Sequence, residues 1–455
     1  MSDDDLTRIE TTGPAVVLGS RYDVTALAPE AVAKATMAAA DLLASRTGEP
    51  PRAVRVDRIA ACAAFAGERL FEPIGWERPP IWDPIAGDYR AAKGWIRLHS
   101  NYSHHRAAAL RALGLPGDCR ERIEVAAAVG ARQAVDLESA VVREGGAAAV
   151  LRSPASWSAT AAGRAASRQR LWVDPAPPVP VRIPAADRPL AGVRVLDLTR
   201  VIAGPVCTRF LAGYGAQVLR VDPPGFVEVP AVVPEVTRGK RCCTLDLRDS
   251  SDRARFAELV GQAHVIVAGL RPGSLQALGF GPDRLRALNP GLIVARLDAY
   301  GWDGEWAARR GFDSLVQMSC GIAYLDGHAA PSPLPVQALD HATGYLLAGA
   351  VCRALSTLIR TGVPGDIRTS LVATANRLVS LTESRSGSGS SQARAGSAGA
   401  ESVCPEPAWP DEVFETADTA WGRARRVRVP GTIEGIEPSW AIDAGPLGRH
   451  EAAFD

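Results

Sequence analysis

One carboxylate, Asp340, lies at the start of the long apolar, glycine-punctuated stretch PVQALDHATGYLLAGAV, residues 335–351. An aspartate carboxylate is one of the side chains that can take part in catalysis. Aspartate is also a preferred N-cap of a helix, and Thr343 follows three residues later. The two roles are compatible, since the dipole at a helix N-terminus favours the anionic carboxylate. The local sequence leaves both interpretations open.

Three loops in the middle of the chain carry residues that suit a phosphate-bearing ligand. They are residues 200–203, the basic turn 238–241 with sequence RGKR, and the Arg-Pro-Gly turn 271–273. Arginine and lysine bind phosphate oxygens, and open α/β sheets bind ligands beyond the carboxyl ends of their strands. The alternatives are a tight turn at 203–205 and ordinary solvated charge in the basic turn 238–241.

Strand and helix patterns alternate through this part of the chain. Strands are predicted over 193–199, 217–222, 241–247, 264–270 and 292–298, with helices over 203–216, 251–263 and 281–289 between them. This alternation predicts an α/β fold with a doubly wound (Rossmann-like) parallel sheet, accompanied by a smaller α+β domain. The first turn lacks GxGxxG, so a dinucleotide cofactor is only weakly supported.

The chain divides into five predicted parts. A proline-rich linker, residues 174–192, separates an N-terminal region, 1–173, from the α/β domain, 193–382. Residues 383–403 are of low complexity and predicted flexible, and 404–455 form an extended tail that packs back on the core. Within the N-terminal region the patterns predict a helix over 29–47, a strand at GWIRLH and a helix over 104–114.

A weak internal repeat links the two halves of the chain. Residues 35–70 parallel residues 349–381: each segment has an alanine-rich helix, an Arg-Thr-Gly turn, a short strand and another helix. The first copy has no aspartate that matches Asp340, and the nearest carboxylates are Asp23 and Glu30. If the repeat is real, one copy carries the acid and the other does not.

Composition and residue spacing give no support to several classes of function. The 455 residues contain 51 Lys plus Arg and 50 Asp plus Glu, so charge gives no argument for nucleic acid or an anionic membrane as partner. No apolar run reaches the roughly 18 residues of a membrane span, and the acidic N-terminus does not resemble a secretory signal. Eight cysteines without a CxxC pair predict reduced thiols in a cytoplasmic protein. His99, His104 and His105 lack further ligands at a metal-binding spacing, so no metal is predicted.

A series of segments, in order from about residue 189 to 381, resembles the class III CoA-transferases, which include formyl-CoA and carnitine CoA-transferases and the related α-methylacyl-CoA racemases. The segments include PLAGVRVLDLTRVIAGPVCTRFLAGYGAQVLRVDPPG, TRGKRCCTLDLRD, RRGFDSLVQMSCGIA and RTGVPGDIRTSLVATANRLVSL. The resemblance implies that Asp340 attacks an acyl-CoA thioester, becomes an aspartyl-CoA thioester and passes CoA to an acceptor carboxylic acid. CoA is then a substrate, and no permanently bound cofactor is implied.

The resemblance also implies a CoA site made of three groups of residues: Arg200, Val201, Ile202 and Ala203; Arg238 and Lys240; Gly269, Leu270 and Arg271. Gly269 and Leu270 depart from the asparagine or aromatic residue common in the family. Phe312 and Asp313 stand where the racemases have a histidine, which disfavours two-base proton transfer.

The order of domains departs from the family as well. About 190 residues precede the nucleotide-type domain, and they resemble the later portion of the family, its post-aspartate helices and small domain. The family forms interlocked dimers, so the chain either forms a homodimer or carries a substitute for part of its partner. Three hypotheses follow: a CoA-transferase, a CoA-binding protein without transferase activity, and the less favoured racemase or isomerase.

Overall fold

The computed structural model describes residues 8–181, 183–328, 330–387 and 407–454. Sixteen strands lie in these ranges: β1 (Ile9–Thr12), β2 (Val54–Asp57), β3 (Glu72–Pro73), β4 (Gly87–Arg90), β5 (Trp95–Leu98), β6 (Ala148–Val150), β7 (Trp172–Pro175), β8 (Arg194–Leu198), β9 (Gln217–Asp222), β10 (Lys240–Thr244), β11 (Val265–Ala268), β12 (Ile293–Asp298), β13 (Gly365–Ser370), β14 (Phe414–Thr419), β15 (Gly422–Val427) and β16 (Thr432–Ile433).

The same ranges contain sixteen α-helices: α1 (Val24–Thr47), α2 (Arg58–Ala64), α3 (Gly67–Leu70), α4 (Ser103–Leu113), α5 (Arg122–Gly130), α6 (Ala134–Arg143), α7 (Pro154–Ser158), α8 (Ala161–Ala166), α9 (Ala203–Gly213), α10 (Val233–Val236), α11 (Ser250–Gln262), α12 (Ser274–Ala277), α13 (Pro282–Leu288), α14 (Asp313–Cys320), α15 (Ala338–Thr361) and α16 (Leu371–Gly387). The chain is therefore a mixed α/β protein, as the alternating patterns predict.

A seven-stranded sheet forms the centre, in the order β10-β9-β8-β11-β12-β13-β7. The first six strands run parallel, and β7 joins the edge antiparallel to β13. Neighbouring residues of one strand enter different apolar clusters: Val195 packs in the cluster that contains Phe210 of α9, and Leu196 packs in the cluster that contains Phe256 of α11. Side chains alternate across a strand, so helices cover both faces of the sheet.

The N-terminal region forms a second, smaller sheet with its own helices. Strands β4, β5 and β6 form a small antiparallel sheet that packs with α4, α5 and α6 around a separate apolar cluster. The predictions of a strand at GWIRLH and of a helix over 104–114 are confirmed by β5 and α4. The helix predicted from residue 29 begins earlier, at Val24, because the Asp23 side chain accepts a hydrogen bond from the Ala26 N–H and caps it there.

The internal repeat is visible as a repeated order of elements. Helices α1 and α15 each have 24 residues, pack against each other, and end at a left-handed glycine, Gly48 with φ 77° and Gly362 with φ 75°. A strand and a helix follow each of them. Ala26 lies as far before Gly48 as Asp340 lies before Gly362, so the first copy has alanine at the position of the acid.

The segments outside the repeat are more ordered than the sequence predicts. The predicted linker begins inside β7, and part of the predicted extended tail forms the β14–β15 hairpin, which pairs with β3. Helix α16 continues to Gly387, so the predicted flexible segment begins as a helix, and its remainder, together with the start of the tail to residue 406, lies outside the described residues.

Helix α15 is long and apolar enough to cross a membrane by length and composition alone, and it is the one such helix in the described ranges. However, 78% of its most apolar window is buried inside the protein. Its apolar character is therefore accounted for by packing against α1 and α9.

Gly344 allows α15 to approach the start of α9. A Cβ atom at this position would lie 2.5 Å from the carbonyl oxygen of Ala203 and 2.7 Å from Cβ of Val206. We expect Gly344→Ala to lower the free energy of unfolding by about 1–3 kcal/mol, because backbone must move to relieve the overlap. The control is Gly261→Ala in α11, where the nearest atom is 4.0 Å away. Denaturant unfolding should show no loss of stability in the control, and equal losses in both variants would contradict the packing argument.

Candidate active site

Asp340 is the third residue of α15 and does not cap it. The N-cap position is Gln337, which makes no side-chain capping bond, so the N-cap interpretation of Asp340 is wrong. The Asp340 side chain is buried. Its backbone N–H donates a 2.9 Å hydrogen bond to Oδ2 of Asp313, the first residue of α14. The start of α14 therefore satisfies a free N–H at the start of α15, and two buried carboxyl groups meet.

The surroundings of Asp340 oppose its ionisation. Burial, followed by the nearby Asp313 and Glu68 carboxylates, raises the pKa of Asp340 well above its usual range. Burial likewise raises the pKa of Asp313 to about 6, against hydrogen bonds that lower it. Glu68 comes from the N-terminal region and lies 2.9 Å from Nε2 of His341, the residue after Asp340. Such perturbed carboxyl groups are frequent in active sites.

The loop at the carboxyl end of β8 is strained. Val201 has φ 63°, and it is the one non-glycine residue with positive φ among the described residues. Its N–H donates a 3.1 Å hydrogen bond to Oε2 of Glu228, which fixes the loop. Arg200 pairs with Asp222 at 3.2 Å and lies over the Phe226 ring. Strain of this kind is concentrated at ligand clamps and switch regions.

The predicted phosphate ligands of the basic turn are buried and paired. Nζ of Lys240 lies 2.9 Å from Oδ2 of Asp197, and both side chains are inaccessible to solvent. Arg238 pairs with Glu415 at 3.0 Å, and its guanidinium lies 4.2 Å from the centre of the Trp440 ring. The structure does not bring these two cations to the surface beside the other candidate residues.

The remaining predicted residues lie at the carboxyl edge of the sheet. Ile202 and Ala203 are buried where α9 begins, and Gly269 to Arg271 follow β11, the neighbour of β8. The Gly269 N–H donates a 3.3 Å hydrogen bond to the carbonyl of Leu198 at the end of β8. Parallel strands thus bring residues 200–203 and 269–271 together, while Asp340 reaches the same edge through the α15–α9 contact.

The N-terminal region also contributes to this site, through residues that the sequence analysis did not name as part of it. The His99 ring stacks on Phe312 with centroids 3.6 Å apart, and the Tyr102 hydroxyl donates a 2.5 Å hydrogen bond to Glu228. Burial, and then Arg97, lowers the pKa of His99 to about 3, so the ring is neutral. In the described part of the chain no three His, Cys, Asp or Glu side chains converge as a metal site. Two histidine rings of the segment HSNYSHH pack against Phe312, His99 face to face and His105 edge-on.

The sequence profile of CoA-transferase family III matches residues 190–422, just over half of the 455 residues. The chain belongs to this family. The probable fatty acyl-CoA transferase Rv3272 of Mycobacterium tuberculosis is 36% identical over 201 residues, which cover 40% of this chain and 50% of that protein. The acetyl-CoA:oxalate CoA-transferase of Acetobacter aceti is 33% identical over 197 residues, covering 40% and 51%.

Two solved structures are also similar. A crystal structure of Rv3272 is 34% identical and covers 44% of this chain and 58% of its own, with a TM-score of 0.40. A CAIB/BAIF family protein from Brucella suis is 28% identical and covers 52% and 65%, with a TM-score of 0.41. The chain spans about half the length of the curated relatives it matches.

The family III region contains every candidate residue from Arg200 to Asp340. Glu68, His99 and Tyr102, which contact the site, lie outside that region. The candidate site of this CoA-transferase family member thus joins matched and unmatched parts of the chain.

The pair of Asp197 and Lys240 supports a stability prediction. Burial raises the pKa of Asp197, but Lys240, Arg220 and hydrogen bonds from two threonines outweigh it and lower that pKa to about 2. We expect Asp197→Asn to lower the free energy of unfolding by about 3–5 kcal/mol at pH 7, because Lys240 loses its buried partner.

The pH dependence of this loss has a definite sign. A depressed carboxyl pKa stabilises the fold above the unfolded-state pKa of about 3.9, and the stabilisation is lost as pH falls toward the folded-state value of about 2. The gap between wild type and Asp197→Asn should therefore shrink below about pH 4. The control is Asp366→Asn, which breaks a partly exposed pair with Arg286 and should cost about 1 kcal/mol or less. A pH-independent gap would contradict the assignment.

The backbone of Val201 supports a second prediction. At most sites alanine stabilises a protein relative to glycine, but a left-handed backbone costs an L-residue about 1–2 kcal/mol. We therefore expect Val201→Gly to be more stable than Val201→Ala by about 1 kcal/mol, as measured by denaturant unfolding. Both variants remove the valine side chain, so the difference isolates the backbone. An alanine variant at least as stable as the glycine variant would show that the loop is not held at positive φ.

Proposed function

We propose that this chain is a CoA-transferase that moves CoA from an acyl-CoA to an acceptor carboxylic acid, with Asp340 as the nucleophile. The observation that carries the proposal is the buried Asp340, held against Asp313 where α15 meets the start of α9. Membership of CoA-transferase family III supports the reaction class, and relatives such as the acetyl-CoA:oxalate CoA-transferase are named for such transfers.

We place CoA across the carboxyl edge of the sheet. We also infer that this sheet and its helices form a doubly wound, Rossmann-like CoA-binding domain. The loops 200–203 and 269–271 end neighbouring strands there, and the N-terminus of α9 offers N–H groups to a phosphate. Arg238 precedes β10 and Lys240 begins it, so both are at the opposite, amino-terminal end of the parallel strands. A direct contact of either cation with CoA would require it to leave Glu415 or Asp197.

The proposed reaction exchanges one bond at a time. The Asp340 carboxylate attacks the thioester carbonyl, the C–S bond breaks, and the CoA thiolate leaves an acyl-aspartyl anhydride. The thiolate then attacks the aspartyl carbonyl and releases the donor acid as its carboxylate. An acceptor carboxylate then attacks the aspartyl-CoA carbonyl and expels the CoA thiolate, which leaves a second mixed anhydride. The thiolate attacks the acceptor carbonyl of this anhydride, so the product thioester forms and the Asp340 carboxylate is released. Every carboxylate and thiolate is regenerated, so the cycle has no net proton transfer.

The first step requires an ionised Asp340, which the free site disfavours. N–H groups near the reacting carbonyl, at the start of α9 and in loop 200–203, would stabilise the oxyanion that forms. Substrate binding must therefore offset the repulsion from Asp313 and Glu68. The burial of Asp340 also limits the access of water to the aspartyl thioester.

A CoA-binding protein without transferase activity is the second candidate. The buried state of Asp340, whose surroundings oppose ionisation, favours it. Covalent modification of the protein separates the two functions.

Asp340→Asn tests the nucleophile. The change removes the nucleophilic oxygen but keeps the backbone N–H that bonds to Asp313, so the fold should be retained. We expect at least a thousandfold loss of CoA transfer with a panel of acyl-CoA donors, and no hydroxamate at residue 340 after incubation with acyl-CoA and hydroxylamine. The control Asp118→Asn alters an exposed carboxylate and should retain both. If wild type binds acyl-CoA but yields no modified Asp340, the binding-only function is favoured.

A further inference from the structure

A buried cluster of charged side chains lies next to the strained Val201. The Glu228 side chain is inaccessible to solvent, and its Oε2 atom accepts hydrogen bonds from the Val201 N–H at 3.1 Å and from Arg220 at 3.0 Å. Arg220 also pairs with Asp222 at 2.9 Å, and Asp222 in turn pairs with Arg200 at 3.2 Å. The side chain of Arg200 and the backbone of Val201 are therefore held by one connected cluster.

Tyr102 joins this cluster from the N-terminal region. Its hydroxyl donates a 2.5 Å hydrogen bond to Oε1 of Glu228, the other oxygen of the same carboxylate. Burial, and then the Glu228 charge, raises the pKa of Tyr102, so the hydroxyl keeps its proton for this bond. A hydrogen bond to an ionised acceptor is stronger than one between neutral groups. A side chain from outside the family III match, residues 190–422, thus holds the carboxylate that holds Val201.

The position of Tyr102 is itself fixed by helix α4. Tyr102 is the N-cap residue of α4, and its carbonyl accepts hydrogen bonds from the N–H groups of His105 at 2.9 Å and Arg106 at 3.0 Å. Its ring packs against an apolar cluster formed by Val229, Val232 and Val236. Because the ring is already ordered, its hydrogen bond to Glu228 costs little additional side-chain entropy.

The loop that carries Val201 requires such a restraint. Val201 has φ 63°, a left-handed conformation that is unfavourable for a β-branched L-residue. Ile202 and Ala203 follow it at the start of α9, where the proposed function places CoA. When only a fraction of the molecules has the binding-competent conformation, the apparent affinity falls by that fraction. The restraint on Val201 therefore acts on the affinity for CoA.

We propose that Tyr102 is a positioning residue for CoA binding: through Glu228 it holds the loop 200–203 in the conformation that binds CoA. This inference rests on the proposed function, which places CoA at this loop. In this role Tyr102 acts through the carboxylate of Glu228 and not by contact with CoA. The N-terminal region thereby sets the affinity of the carboxyl edge of the sheet for CoA.

Tyr102→Phe tests the proposal, because it removes the hydroxyl and keeps the packed ring. We expect calorimetry to show about tenfold weaker binding of CoA, since the competent loop becomes a minor population. Without CoA, hydrogen exchange in the peptide that contains residues 200–203 should be about fivefold faster than in wild type, because the Val201 N–H opens more often.

The matched control is Tyr89→Phe in β4. It removes another buried tyrosine hydroxyl of the N-terminal region, whose 2.8 Å hydrogen bond is to the carbonyl of Ile85. This variant should keep the CoA affinity and the exchange rate of residues 200–203 of wild type.

Three results would overturn the proposal. An unchanged affinity of Tyr102→Phe for CoA would show that binding does not depend on the hydroxyl. Weaker binding without faster exchange in residues 200–203 would mean that Tyr102 does not act through the loop. An equal loss of affinity in Tyr89→Phe would reduce the effect to a general weakening of the N-terminal region.

Failure of the proposed function has a different outcome. CoA binding would then depend on Tyr102 as expected, while hydroxylamine would trap no acyl group at Asp340 of wild type. Wild type that binds no CoA would overturn both the proposed function and the role of Tyr102.

Discussion

The buried ion pair between Asp197 and Lys240 is the interaction on which the geometry of the candidate site depends. Asp197 lies on β8 and Lys240 begins β10, on the other side of β9. The same carboxylate accepts hydrogen bonds from Thr199 in the following loop and from Thr208 in α9. One carboxylate therefore links strands β8 and β10, helix α9 and the loop that precedes α9. Removing either partner leaves the other charge buried without its partner, which destabilises the fold.

The position of α9, fixed by this ion pair, determines in turn where Asp340 lies. With α9 fixed, α15 can approach its first turn because Gly344 has no side chain, and Asp340 is brought to the carboxyl edge of the sheet. The carboxylate of Asp313 then holds the start of α15. Asp313 thus has two effects on the candidate nucleophile: it holds the backbone of Asp340 in place, and its charge opposes the ionisation of the Asp340 side chain.

The N-terminal region completes this arrangement from outside the family III match. It contributes Glu68, which lies beside His341, the hydrogen bond from Tyr102 to Glu228, and the His99 ring that stacks on Phe312. Helix α1 repeats the length and ending of α15 but has alanine in place of the acid. The structure thus contains one acidic copy and one copy that supplies packing, in a single chain.

Much of this protein follows from its sequence alone. Apolar runs such as VIVA and the alternation of strand and helix patterns predicted five of the six parallel strands to within three residues at each end, because burial on both faces demands such runs. The segments around residues 200, 240, 271 and 340 indicated the family and Asp340. The partners of these residues could not be predicted: Asp197 is 43 positions from Lys240, and Glu415 is 177 from Arg238. Whether a cation binds phosphate or a buried carboxylate depends on which charges the fold brings within a few ångströms, and only the tertiary structure decides that.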